Sequence, residues 1–246
     1  MNKAYPVQSS PVRAGIVRRL LRALWRLATD GVYRGNVMLR FVRSGRAFQP
    51  CNLTLIDRYP RIFAFVQSQL GKDNELRILS FGCSTGEEAV SLRRYFPRAI
   101  IKGIDINPGN ITRARKHVRR RPDAALQFEV ADSTGAEKVS SYDAIFCMAV
   151  LRHGTLGASG VTNCEQLLPF AAFARAVEDF ARCLKPGGLL IIRHSNFRFS
   201  DAPISKHFEV TLSLPHAPSA KTPIFGPDNW LIPNAVYEDV VFRKRT

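Results

Sequence analysis

The sequence predicts an α/β protein built on a doubly wound sheet of about seven strands, mostly parallel with an antiparallel C-terminal strand, behind a helical N-terminal extension. Three observations predict it. Arg77–Phe96, RILSFGCSTGEEAVSLRRYF, passes from a short apolar run through a glycine-bearing loop into helix-forming residues, the order of a buried strand, a tight turn and a helix N-terminus. From there to Arg193, apolar runs alternate with helical patterns, as parallel βαβ units do. Beyond it, Phe208–Leu214 and Val236–Arg243 read as strands with no helical pattern between them, which suits an antiparallel pair.

The 246 residues suit one α/β domain with a modest extension; two full domains would be crowded. We divide the chain into a basic helical extension, residues 1–56, and the α/β domain, residues 57–246. No apolar run approaches the ~20 residues that cross a bilayer. The five cysteines (Cys51, Cys83, Cys147, Cys164, Cys183) form no C-x-x-C and share no zinc spacing with histidine, so no metal is expected and a reducing, cytoplasmic setting is. The formal net charge of +16 attracts anions: nucleic acid, anionic lipid or an acidic substrate.

Met1–Ser10 is polar and irregular, a loose tail. In Pro11–Gly31 the residues Val12, Ile16, Leu20, Leu24 and Leu27 recur at helical spacing, with Val17, Leu21 and Trp25 widening the stripe and Arg13, Arg18, Arg19, Arg22 and Arg26 between them. Asp30-Gly31 is the stop. Three readings stand: a helix packed on the domain with solvated arginines, a basic amphipathic helix on an anionic membrane, or a targeting peptide or nucleic-acid arm. Gly35 and Gly45 punctuate the next stretch, with a short helix over Val37–Val42 and a loop to Pro50. Pro60–Leu70 is a helix closed by Gly71, presenting Ile62, Phe63, Phe65, Val66 and Leu70 to the sheet.

After the opening strand, Ala99–Ile104 is the second strand, ending at Asp105, and Pro108 leads into a basic helix over Asn110–Arg121. Its free face is either solvated or a contact for RNA or lipid headgroups. Leu126–Val130 and Tyr142–Cys147 are the third and fourth strands; Pro169–Leu184 is a long helix closed by Lys185-Pro186-Gly187-Gly188, and Leu189–Arg193 is the fifth strand. Gly154–Asn163, rich in small residues, is either a lid or a surface connection.

The chemistry concentrates at strand ends, where such sheets bind ligands. Gly82, Cys83, Ser84 and Gly86 follow strand one. A third glycine of G-x-G-x-x-G is absent, no G-K-[ST] follows, and Glu87-Glu88 would repel phosphate. An acidic pair there suits a cationic ligand, and S-adenosylmethionine (SAM) carries sulfonium and ammonium groups. Asp105 lies at the distance from the loop where a carboxylate accepts ribose hydroxyls. Asp132 and Ser133 can hydrogen-bond an adenine edge, with Ile106 and Met148 sandwiching the ring.

FGCSTGEEAVSL, GIDIN, the VADS step, YDAIFCMAVLRHG and LKPGGLLII together resemble the Rossmann-like class I SAM-dependent methyltransferases, over roughly Arg77–Arg193. GCSTGEE and FCMAVL look most like the chemotaxis-receptor glutamate methyltransferases, although Met148-Ala149 stands where those enzymes usually carry Arg-Asn. The resemblance implies that Gly82, Cys83, Ser84 and Gly86 surround the methionine part of SAM with Glu87 near its ammonium. It further implies Asp105 at the ribose, Asp132 at the adenine and Cys147-Met148 on the pocket's other side. A base is needed only if the acceptor must lose a proton; His153 and His194 are the candidates, with Asn196, Phe197 and Tyr142 behind them. Cys147 lacks the Pro-Cys context of cytosine methylation, and no Asn-Pro-Pro-Tyr-type motif follows strand four. The expected function is methyl transfer to an oxygen or nitrogen of a small molecule. The alternatives are methylation of a protein carboxylate or RNA, and a non-catalytic SAM-binding or membrane-associated module.

Overall fold

A computed structural model describes residues 11–42, 48, 54–72, 74–119, 122–157, 160–215 and 222–246. The expected tail Met1–Ser10 and most of the expected loop to Pro50 lie outside these residues. The elements run α1 (Pro11–Thr29), α2 (Gly31–Val42), α3 (Pro60–Leu70), β1 (Arg77–Phe81), α4 (Glu87–Tyr95), β2 (Ile100–Asp105), α5 (Pro108–Arg119), β3 (Leu126–Val130), β4 (Tyr142–Met148), α6 (Phe170–Cys183), β5 (Leu184–Arg193), β6 (Phe208–Ser213) and β7 (Asp239–Lys244).

One seven-stranded sheet has the order β3-β2-β1-β4-β5-β7-β6. Strands β1 to β5 pair in parallel, and β7 runs antiparallel to both β5 and β6. The chain winds outward from β1 to β3, then returns to the other side of β1 as β4. The carboxyl ends of β1 and β4 therefore diverge into loops of opposite direction, which opens a crevice there.

Both faces of the sheet are covered, and successive residues of a strand feed opposite layers. Leu79 and Phe81 join Phe173, Val177 and Phe180 of α6, while Ile78 joins Ile62, Phe63 and Val66 of α3 and Leu92 of α4. Edge-to-face aromatic pairs lock each layer, Phe81 with Phe180 at 4.8 Å and Phe63 with Phe146 at 5.7 Å between ring centres. Residues 131–141 cross from β3 to β4 without a helix.

Two local expectations change. Helix α2 begins at Gly31, not Val37, because Asp30 Oδ1 accepts the amides of Val32 and Tyr33 at 3.0 and 3.1 Å and caps it. Gly35 is then interior to the helix, not punctuation, since a Cβ there would stand 1.9 Å from Asn107 Oδ1. Strand β5 starts at Leu184, within the segment read as the helix stop. Its register shifts between the Tyr142 and Ala144 pairings, so Lys185–Gly188 is absorbed as an irregularity of the strand.

Candidate active site

The loop after β1 is built from backbone conformations that side chains rarely tolerate: Gly82 has φ +70°, Ser84 +51° and Gly86 +95°. The amides of Gly82 and Cys83 both donate to the carbonyl of Ile104, at 2.8 and 2.9 Å, tying the loop to β2. The Ser84 amide donates to Asp105 Oδ2 at 2.9 Å, and Asp105 Oδ1 accepts from the Asn107 amide at 2.8 Å and Asn110 Nδ2 at 2.9 Å. Burial pushes the Asp105 carboxyl above its ordinary value, against these three hydrogen bonds. Ser84 Oγ is buried with no hydrogen-bond partner among the described residues.

The two acidic residues that open α4 separate. Glu87 turns back on the loop, both its oxygens accepting from Thr85 Oγ1 at 2.7 and 2.8 Å. Glu88 instead reaches the carboxyl end of β1, where Ser80 Oγ donates to its Oε1 at 2.7 Å. It is half-buried, and burial raises its pKa to about 7. The sequence reading singled out Glu87; Glu88 is the carboxyl that the fold aims inward, through a partner, Ser80, on the preceding strand. A carboxyl with a pKa near neutrality, held at the end of β1 by Ser80, fits a ligand with an ammonium group.

The other expected pocket residues divide. Cys83 is 2% exposed, its sulfur against the Gly103 backbone and Phe128, so only its main chain faces the crevice. The side chains of Cys147 and Met148, neighbours on a strand, point to opposite faces of the sheet. Cys147 is fully enclosed in the α6 layer, and Met148, 8% exposed, packs in the α3 layer. Burial drives the Cys147 thiol well above its usual pKa, which removes it as a thiolate nucleophile. Ile106 lines a groove between α1, α2 and α5, whereas Asp132 and Ser133 line a separate recess of about 230 Å³ against α6, walled by Phe81 and Phe180. The glycine loop and Asp105 are thus brought together directly, and the adenine-side residues are distributed over two openings.

At the ends of β4 and β5 two more non-glycine residues take positive φ, Ala149 at +60° and His194 at +56°. Such conformations survive where surrounding structure holds them. The Ala149 amide donates to the Arg193 carbonyl at 2.8 Å, and Asn196 braces the segments beyond: its amide donates to the Leu151 carbonyl at 3.0 Å, its Oδ1 accepts from the His153 amide at 2.8 Å, and its Nδ2 donates to the Pro223 carbonyl at 2.8 Å. It is a positioning residue, not a base. Phe197 is a core residue, and Tyr142 sits at the opposite end of β4 with its hydroxyl on Glu137 at 2.6 Å. Both leave the candidate list.

His153 is half-buried and burial lowers its pKa, so its imidazole is neutral at neutral pH; its Nδ1 has no partner among the described residues. The His194 ring lies 5.9 Å from that of Tyr59. Tyr59, just ahead of α3, was not read from the sequence. Its hydroxyl is buried, has no partner among the described residues, and is pushed up to about 12 by burial. Arg58 covers its ring at 5.1 Å, and Glu88, Arg152 and Arg193 all act on it electrostatically. Its only signal in the sequence was the aromatic before Pro60. Gly154–Asn163 is a short 3-10 turn at Gly154–Gly157, with Asn163 bridged to Trp230 at its far end; residues 158–159 lie outside the description.

Residues 79–192 match a family described as a methyltransferase domain. A trans-aconitate 2-methyltransferase of Methylobacterium nodulans is 32% identical over 117 residues, 48% of this chain and 37% of that protein. A ubiquinone biosynthesis O-methyltransferase of Leptothrix cholodnii is 28% identical over 108 residues, 42% of this chain and 44% of that protein. This chain thus spans less than half the length of each. Among solved structures, a phosphoethanolamine N-methyltransferase 2 of Haemonchus contortus in complex with S-adenosylhomocysteine is 18% identical, with a TM-score of 0.41, covering 68% of this chain and 33% of that one.

Proposed function

We propose, from a methyltransferase domain of the class I SAM-dependent superfamily at residues 79–192, that this protein moves a methyl group to an oxygen or nitrogen of a small-molecule acceptor. The observation that carries the reading is that residues suited to both halves of such a reaction follow the carboxyl ends of neighbouring strands of one sheet. The Gly82–Gly86 loop and Asp105 end β1 and β2; His153 and His194 follow β4 and β5, with Tyr59 against His194. The relatives' names, one a trans-aconitate methyltransferase and one an O-methyltransferase, favour oxygen as the attacked atom.

When bound, SAM supplies an electrophilic methyl on a sulfonium. In this reading the loop backbone and Ser84 Oγ hold its methionine part, and Glu88 in its ionised form faces the ammonium. Asp105, with both oxygens already placed by Ser84, Asn107 and Asn110, offers its remaining lone pairs to the ribose hydroxyls. The chain's main task is alignment, because a displacement at carbon gains most from fixed geometry. Where the acceptor must lose a proton, His153 is the better placed base: it is neutral and its Nδ1 is unoccupied among the described residues.

The test is to incubate the protein with methyl-labelled SAM and a fractionated cell extract. Label in the small-molecule fraction supports the reading. Label confined to protein or RNA would replace the acceptor class, and SAM failing to raise the melting temperature at millimolar concentration would overturn the cofactor assignment.

A further inference from the structure

Among the described residues, helix α1 leaves an apolar face without cover. Ile16, Leu20, Leu21, Leu24 and Trp25 are 54%, 58%, 61%, 61% and 66% exposed. Helix α2 packs against α5 through Gly31, whose carbonyl a Cβ on Gly109 would meet at 2.2 Å, and through Gly35 against Asn107; α1 stands off from that contact. Arg18, Arg22 and Arg26 follow at four-residue intervals with Arg19 beside them, so at about 100° per residue all four fill one arc of roughly 100°. Ile16, Leu20, Leu21 and Leu24 lie on the opposite arc, which the position of Arg13 also shares, and α1 contains no Asp or Glu, although Arg26 pairs with Asp30 just beyond its end at 3.6 Å. The positive surface continues across an open groove of about 1210 Å³, lined by Trp25, Arg34, Met38, Arg113 and Lys116.

We propose that α1 docks the protein on an anionic phospholipid surface, lying in the interface plane. The observations select this occupant because it alone uses both faces of the helix. Lipid acyl chains receive the leucines, anionic headgroups receive the arginines, and Trp25 sits at the boundary between them. A nucleic acid has no place for four exposed aliphatic side chains. A second copy, joined apolar face to apolar face, would flank its seam with arginines of which Arg26 alone has an acidic partner here, Asp30. No described helix is long and apolar enough to cross a membrane, so the contact is peripheral. Docking also brings the α2–α5 junction, and with it the Asp105 side of the crevice, toward the lipid.

The test uses the full chain with vesicles of phosphatidylcholine alone or with about 30% phosphatidylglycerol. The protein should float with the anionic vesicles at least ~10-fold more than with the neutral ones, and less as salt rises. Trp25 and Trp230 are the two tryptophans, so a Trp230→Phe background should show a blue-shifted Trp25 emission on binding. Leu20→Asp with Leu24→Asp should abolish flotation and blue shift while leaving SAM's thermal stabilisation intact, and Arg18→Glu with Arg22→Glu should erase the preference for anionic lipid. The proposal is overturned by no flotation at low salt, or by flotation that survives the leucine changes. A dimer dissolved by the leucine changes, without vesicle binding, would assign the face to a second copy. RNA binding that keeps its affinity in the leucine variant, without flotation, would assign the arginines to nucleic acid.

Discussion

The amide of Ser84 points at the carboxylate of Asp105, 2.9 Å away, so the loop that leaves β1 is clamped to the residue that ends β2. The same carboxylate orders Asn107 and Asn110 at the start of α5. One buried side chain therefore shapes both the loop and the helix entrance beside it.

Asp105→Ala strands three buried donors, which costs on the order of 3 kcal/mol. At about 2–4 °C per kcal/mol for a chain of this size, the melting temperature should fall by about 6–12 °C, and the stabilisation by SAM should disappear. Scanning fluorimetry with and without SAM reads both; a variant that keeps the full SAM-dependent rise would sink the ribose assignment.

Glu88 titrates near 7, raised from 4.5 by burial. Its proton must leave before it can pair with an ammonium, so SAM should bind more tightly as pH rises from 6 toward 8, with most of the gain below about 7. The folded pKa exceeds the unfolded one, so the ligand-free protein's contribution from this group is fully present below about 4.5 and lost as pH rises through about 7. Glu88→Gln should flatten both profiles in calorimetry and in pH-dependent melting.

A methyl at Gly82 would stand 2.4 Å from Val150 Cγ2 in a residue held at φ +70°. Gly82→Ala should destabilise the protein and weaken SAM binding, and Val150→Ala should recover part of the loss by removing the contact. The backbone strain, roughly 1–2 kcal/mol, should persist in the double variant. Additive losses in that cycle would refute the contact.

His153 is held neutral by burial, with its pKa lowered. If it is the base, the acidic limb of the rate profile lies below the ordinary histidine value of about 6.5, and His153→Gln lowers kcat at every pH while SAM's thermal shift is unchanged. An unaltered kcat would move the role to His194 or to no base at all.

The β1 loop, Asp105 and the parallel core were legible because each is written in a local run: glycines after an apolar strand, a carboxylate at a strand end, alternation of strand and helix. What escaped depended on residues distant in the chain. Gly35 read as punctuation because its reason, Asn107, lies on the far side of β1 and β2. Glu88 was overshadowed by Glu87 because only the folded chain brings Ser80 beneath it. The separation of the Cys147 and Met148 side chains into opposite layers was legible in the period-two alternation along β4.

Asn107 joins α2 to the start of α5: its Nδ2 donates to the Val32 carbonyl at 3.1 Å and to Asn36 Oδ1 at 2.8 Å, while its Oδ1 accepts from the Gly109 amide at 2.8 Å. Cutting the chain between α2 and α3 would therefore leave the leading helices still attached, as a noncovalent fragment. Removing them altogether would leave the Asn107 side-chain amide without the two acceptors it has on α2, two residues from Asp105. Amide hydrogen exchange should show α2 and the first turn of α5 opening as one cooperative unit, slowed together when SAM is added.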